Sequence, residues 1–230
     1  MKLMIVVPAH NEAENIRTVV EDICTHCPQH SYVVVNDGST DDTADICREN
    51  GYNLLDLPIN LGLAGAFQAG MLYALQQGCD AALQFDGDGQ HRAECIPALT
   101  QRLVQGYDIV IGSRFVTVRK PINLRMAGSF LISFAMRFAT GHKITDPTSG
   151  MRIFNRQMLE KFAHGLNYPP EPDTISYLLH CGARISEVQV QVDPRTAGDS
   201  YFTLLRSAKY MFTTAISILF VQWFRKNDLK

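Results

Sequence analysis

Five times in its first 115 residues the chain runs a short apolar stretch into a polar turn, and after each of the first four the spacing changes to that of a helix. The stretches are LMIVV (3–7), YVVV (32–35), NLLDL (53–57), AALQF (81–85) and YDIVIGSR (107–114). Continuous apolar runs of this length suit strands buried on both faces. The segments between them place Ile16, Val19, Val20 and Ile23, then Ala44 and Ile46, then 63–77 and 93–105, at helical spacing. Asn11–Glu14 and Ser39–Asp42 are suited to cap the first two helices. Alternation of this kind predicts an α/β fold, a mostly parallel sheet with right-handed crossovers covering both faces. Ligands then bind outside the carboxyl ends of the strands. The turns Ala9–Glu12, Asp37–Ser39 and Asp86–His91 all fall there and would share one crevice.

Beyond Arg114 the alternation lapses. A helix over 125–139 carries a polar stripe at Arg125, Ser129, Ser133 and Arg137, four residues apart. KITDPTSGMRIFN offers a short strand or turn, 157–166 a brief helix, 174–181 another, and 183–192 an alternating strand. A flexible loop, DPRTAGDS, precedes a long apolar helix over 201–224. Without a repeat or a separating linker, residues 1–230 read as a single domain: a ligand-binding half (1–115), a second half (116–200) and a terminal amphipathic helix (201–230).

A net charge of -2 gives no general attraction to nucleic acid. The start, MKLMIVVPAHNE, lacks the long apolar core and cleavage site of a secretory signal, which points to the cytoplasm. The six cysteines show no framework spacing and read as reduced thiols; Cys24 and Cys27 flank a histidine but no second pair completes a zinc site.

Taken alone, Asp86-Gly87-Asp88-Gly89 is turn chemistry. At the end of an interior strand, however, two carboxylates repel unless a cation or donors sit between them. Glycine lets a bulky anion approach the backbone, and hard oxygen ligands suit Mg²⁺ or Mn²⁺, which also take phosphate oxygens. The combination points to a metal-bound diphosphate.

In chain order, VVPAHNEAENI (6–16), VVNDGSTDDT (34–43), NLGLAGAFQAG (60–70), FDGDGQH (85–91), IGSR (111–114), DPTSGMRIF (146–154) and RTAGDS (195–200) resemble the motifs of a family 2 glycosyltransferase of the GT-A fold. They are most similar to the branch with dolichyl-phosphate mannose synthase and bacterial polyprenyl-phosphate glycosyltransferases. The resemblance implies that Pro8, Ala9, Asn11, Glu12 and Asp37 hold the nucleoside, with Gly62 and Gly87 also lining the nucleotide. It implies Asp86, Asp88 and Gln90 as metal ligands, Asp88 as a catalytic position, and Arg195 as a catalytic arginine on a closing loop. Arg114, Arg125, Ser129, Arg137, Arg152, Arg195 and Ser200 become candidates for the acceptor. Two departures stand out: Leu63 replaces a frequent basic residue, and Glu171-Pro172-Asp173 replaces the adjacent Glu-Asp that serves as base in hydroxyl-directed members. An ionised phosphate acceptor needs no base.

The implied activity is inverting, metal-dependent transfer of a sugar from a nucleotide-diphosphate sugar to a polyprenyl phosphate. The alternatives are transfer to a sugar hydroxyl, with Glu171 or Asp173 as base, and a non-catalytic sugar-nucleotide-binding subunit of a membrane complex. Between Lys209 and Arg225 the final helix is about 15 residues of mostly apolar chain, short of the roughly 20 that span a bilayer. Interfacial docking at the cytoplasmic face fits it, with Trp223 at headgroup depth and Arg206, Lys209, Arg225 and Lys226 meeting anionic lipid. A small membrane protein could supply an anchor, and the same apolar face could instead form a homodimer.

Overall fold

A computed structural model of the chain describes residues 1–121, 124–165, 170–193 and 204–220, with the side chains of 124–125 and 204–208 left aside. The first half is β1 (Leu3–Ala9), α1 (Ile16–His26), β2 (Ser31–Asp37), α2 (Thr43–Glu49), β3 (Leu54–Leu57), α3 (Gly62–Gln76), β4 (Ala81–Gln84), a 3-10 turn (Ala93–Cys95), α4 (Ile96–Val104) and β5 (Ile109–Ser113). The second is α5 (Leu124–Thr140), β6 (Arg152–Asn155), α6 (Arg156–His164), α7 (Pro172–His180), β7 (Ile185–Gln189) and α8 (Leu204–Phe220). Trp223, Arg225 and Lys226 lie outside the described residues, as do Arg195 and Ser200.

The apolar runs are continuous because alternate side chains enter two different cores. From β1, Met4 and Val6 join Phe67 and Met71 of α3 on one face, while Leu3, Ile5 and Val7 join Ile16 and Ile23 of α1 and Leu99 of α4 on the other. The strand order is β3-β2-β1-β4-β6-β5-β7. Every pairing is parallel except those of β6, which runs antiparallel to both β4 and β5. MRIFN is therefore the strand alternative of the sequence reading, inserted mid-sheet with Arg152 opposite Gln84 and Ile111. Because β6 runs backwards, the 145–150 loop that feeds it reaches the same edge as the carboxyl ends of β1, β2, β4, β5 and β7.

Three local expectations differ. The N-cap side chains Asn15 and Asp42 cap neither α1 nor α2; Asp41 instead accepts the Thr43 N–H that opens α2, and with Asn11 and Glu12 it ties two loops together. The strand 183–192 shortens to 185–189, since Val192 leaves the ladder to bridge His91. The stripe on α5 is not one face: four residues turn a helix through about 400°, so each step drifts by about 40° and Arg137 stands about 120° round from Arg125. Ser129 is buried, Arg137 exposed, and the solvent side of α5 carries Phe130, Phe134 and Phe138. Helix α8 packs on α5, with Gly128 abutting Met211, and exposes Phe212, Ile216 and Phe220.

Candidate active site

Two loops from neighbouring parallel strands make the first wall. Asp37 closes β2 almost fully buried, and its Oδ1 accepts the Leu61 N–H at 2.7 Å. His10 Nδ1 sits 2.8 Å from the Asp37 carbonyl oxygen, within reach also of Asn60. Asn11 adopts a left-handed φ of 55° and is locked there: its N–H donates to Ser39 Oγ at 3.0 Å and its Oδ1 accepts the Thr40 N–H at 2.8 Å. The Glu12 N–H donates to Thr43 Oγ1, while its carboxylate accepts from Asn15 Nδ2 at 2.7 Å. Pro8, Ala9, Asn11, Glu12 and Asp37 are thus brought together. Gly62, with φ 74° at the start of α3, donates its N–H to Asn60 Oδ1. His10 and Asn60 escaped the sequence reading, although both lie inside its motifs.

The acidic turn follows β4. Asp86 Oδ1 accepts from Gln84 Nε2 at 3.1 Å, and its Oδ2 lies 4.0 Å from His91 Nε2. Gly87 rides so close to β1 that an added Cβ would stand 3.0 Å from the Pro8 carbonyl oxygen. Asp88 Oδ1 accepts the Gln90 N–H at 3.1 Å, and Gly89 closes the turn at φ 72°. The far side is braced by the chain leaving β7: Gln90 Nε2 donates to the Asp193 carbonyl oxygen at 3.2 Å, and Arg92 holds the Asp193 carboxylate with two 2.7 Å bonds.

These groups fit a divalent ion. Gln90 has its amide nitrogen committed to Asp193, which leaves its oxygen as the atom a hard cation takes. Among the described residues no three His, Cys, Asp or Glu side chains form a closed cage. Mg²⁺ is ordinarily held by one or two carboxylates with substrate phosphates completing the shell. Gly150 fixes the turn from above, since a Cβ there would lie 1.6 Å from Asp86 Oδ2. Gly150→Ala is expected to push the Asp86 carboxylate aside and lower kcat by about 100-fold, the scale of a misplaced reacting group, while the thermal midpoint falls little. Steady-state kinetics beside a thermal melt checks both.

The third wall comes from the second half. Arg114, just past β5, forms a bidentate pair with buried Asp146, Nε to Oδ2 at 2.7 Å and Nη2 to Oδ1 at 2.8 Å. That bond raises the Arg114 pKa despite burial. Glu187 of β7 clamps the same loop, accepting from the N–H groups of Thr145 and Asp146 and from Thr145 Oγ1. Ser129 accepts from Lys120 Nζ at 2.6 Å.

Arg152 corrects the sequence reading: it is 2% exposed and lies beneath the site, out of reach of an acceptor. It donates to the carbonyl oxygens of Pro147 and Pro170, and burial lowers its pKa against the opposing pull of Glu171, Tyr210, Asp86 and Asp146. Arg137 stands exposed and displaced from Ser129, while Arg125 starts the same helix with its side chain outside the description. At α7, Glu171 accepts the Tyr210 hydroxyl, and Asp173 Oδ2 accepts Ser217 Oγ at 2.9 Å. Lys120, Asp146, Glu187 and Tyr210 were not singled out from sequence because their partners are remote along the chain.

An acidic Asp-Gly-Asp turn at the carboxyl edge of an α/β sheet, with a buried carboxylate ending β2 on the same edge, is the layout of a GT-A glycosyltransferase. The family model described as Glycosyl transferase family 2 matches residues 4–163, and the chain belongs to that family. It is 29% identical over 227 residues to a polyprenol monophosphomannose synthase of Mycolicibacterium smegmatis, covering 93% of this chain and 86% of that protein. It is 29% identical to an undecaprenyl-phosphate mannosyltransferase of Micrococcus luteus, covering 87% of each. The glucosyl-3-phosphoglycerate synthase of Mycobacterium tuberculosis, solved with Mn²⁺, UDP and glucosyl-3-phosphoglycerate, superposes with a TM-score of 0.71 at 19% identity, over 99% of this chain and 81% of that one. That likeness is one of fold. Among the described residues no helix is long and apolar enough to cross a membrane.

Proposed function

We propose that the protein is an inverting, metal-dependent glycosyltransferase that moves one sugar from a nucleotide diphosphate to a polyprenyl phosphate, undecaprenyl or dolichyl in type. The observation that carries this reading is the state of the two acidic side chains a hydroxyl acceptor would need. Both Asp173 oxygens accept hydrogen bonds, from the Thr174 N–H and Ser217 Oγ, and Glu171 accepts from Tyr210. These oxygens are engaged by donors of the chain itself and tie the start of α7 to α8. An acceptor phosphate arrives already ionised and asks instead for a cation, and Arg114 stands at the edge beside the 145–150 loop. The Mycolicibacterium and Micrococcus relatives are named for this class of transfer.

In this reading residues 1–115 bind the donor, 116–200 the acceptor, and 201–230 the membrane surface. Asp37 and the Pro8–Glu12 loop hold the nucleoside, and Asp86, Asp88 and Gln90 hold Mg²⁺ or Mn²⁺. An ion held by these three residues would supply Lewis-acid neutralisation of the diphosphate leaving group. Arg114, with Arg125, Ser129, Arg195 and Ser200, orients the attacking phosphate oxygen, and Arg195 covers the diphosphate. The apolar faces of α5 and α8, with Phe134 and Phe138 on one and Phe212 and Phe220 on the other, support peripheral docking on the cytoplasmic membrane face.

The test is transfer of labelled sugar from a panel of UDP, GDP and dTDP sugars to undecaprenyl phosphate, with Mg²⁺, Mn²⁺ or chelator. A lipid-soluble product that disappears with chelator and returns with metal is expected. Glu171→Gln and Asp173→Asn should then each keep kcat within about tenfold, since no base is needed. A second reading keeps Glu171 or Asp173 as base for a sugar hydroxyl. Loss of more than about 100-fold in either variant, with nucleotide binding intact, would select it.

A further inference from the structure

Lys120 is a half-buried cation at the 145–150 loop with no carboxylate in contact, and unlike Arg152 it is not sealed beneath the site. Its ammonium is half-buried, 2.6 Å from Ser129 Oγ and 3.0 Å from the Thr145 carbonyl oxygen. The rings of Phe115 and Phe130 bracket it at 5.3 and 5.1 Å. Asp146 and Glu187 stand close enough to act on it electrostatically, yet both are spent: Asp146 on Arg114, Glu187 on Thr145 and the Asp146 N–H. Among the described residues Lys120 forms no ion pair. A lysine needed only to brace the loop on α5 could be replaced by a neutral donor without the cost of a desolvated charge.

Its location says which anion the charge would meet. Phe130 belongs to the exposed apolar side of α5 with Phe134 and Phe138, whereas Thr145 opens the loop whose Gly150 rests on Asp86. Lys120 thus stands between the apolar face suited to a polyprenyl chain and the edge suited to the diphosphate. Resting on the lipid-phosphate reading above, we propose that Lys120 binds the acceptor's phosphate monoester directly, with Ser129 held beside it as its partner. The aromatic bracket keeps the ammonium poorly hydrated and aimed, so that the phosphate replaces water at little reorganisation.

The experiment uses farnesyl phosphate as a soluble acceptor. Lys120→Met keeps the apolar stem and removes the charge. It is expected to raise the acceptor KM by about 30-fold or more, the scale of a desolvated charge contact. The donor KM and the slow acceptor-free hydrolysis of donor should stay within about twofold, and Lys120→Arg should recover most of the affinity. In the wild-type protein, farnesyl phosphate should slow acylation of Lys120, read by peptide mass spectrometry. An unchanged acceptor KM, an equal loss in donor hydrolysis, or acylation indifferent to farnesyl phosphate overturns the proposal. Reduced binding to phosphatidylglycerol vesicles with acceptor KM unchanged also overturns it, assigning the lysine to bulk lipid. A wild-type enzyme that uses only hydroxyl acceptors overturns the lipid-phosphate reading as well; one that uses farnesyl phosphate equally well with and without Lys120 overturns the lysine alone.

Discussion

Asp88→Ala is expected to lower sugar transfer by about 1000-fold or more while leaving the fold intact. Removing one fixed stabiliser of developing charge ordinarily costs about 100- to 1000-fold, and a metal ligand stands at the upper end because the diphosphate then departs with its charge unopposed. The fold survives because Asp88 is half-exposed and the bond it accepts from the Gln90 N–H, two residues on, is local. Asp86→Asn should be as damaging for activity by a different route. It keeps the shape against Gly150 and the bond from Gln84, so its loss isolates charge from packing. Initial rates with saturating donor, paired with a Mn²⁺ titration of nucleotide binding, read both. Asp37 should still hold the nucleoside, so metal-free nucleotide affinity should move by less than about threefold. An Asp88→Ala enzyme keeping more than a tenth of its rate would remove the acidic turn from the chemistry.

The parts of this site that could be read from sequence are those whose geometry is made locally. The turns at Asp37 and Asp86 announce themselves because a strand buried on both faces must be apolar to its last residue, so a carboxylate there marks the edge. The β4–β6–β5 arrangement could not be read the same way. RIFN places an arginine inside a buried strand, and that is tolerable only because two proline carbonyls, from residues 147 and 170, arrive to accept its protons. The acceptor side was partly hidden for a related reason. Arg114 in IGSR looks like a free cation in sequence, yet Asp146, 32 residues away, takes its Nε–Nη2 edge. Lys120 was not singled out at all, because only the fold brings Ser129 and Thr145 to it. The α5 stripe misled through arithmetic: a four-residue repeat drifts on a helix of 3.6 residues per turn, so Ser129 turned inward and Arg137 outward.

Arg152→Met should cost about 3–5 kcal/mol of stability, the scale of stripping one partner from a buried charge network. The guanidinium performs two tasks that methionine cannot share. It satisfies the Pro147 and Pro170 carbonyl oxygens, which join the 145–150 loop to the entry of α7, and it is the buried positive charge facing Asp86, Asp146 and Glu171. Its Nε already lacks a partner among the described residues, so the position tolerates a cost for the sake of the other contacts. Arg152→Lys restores a charge but has no planar fork to span two carbonyls, and should recover only part of the loss. Urea unfolding of the three proteins separates these contributions. Equal midpoints for Met and Lys would assign the whole effect to the carbonyl bonds, whereas full recovery by Lys would assign it to charge. A methionine variant as stable as the wild type would mean that Asp86, Asp146 and Glu171 hold their positions without a buried counter-charge. In that case Gly150 and Gln84 alone would have to keep Asp86 aimed at the edge of the sheet.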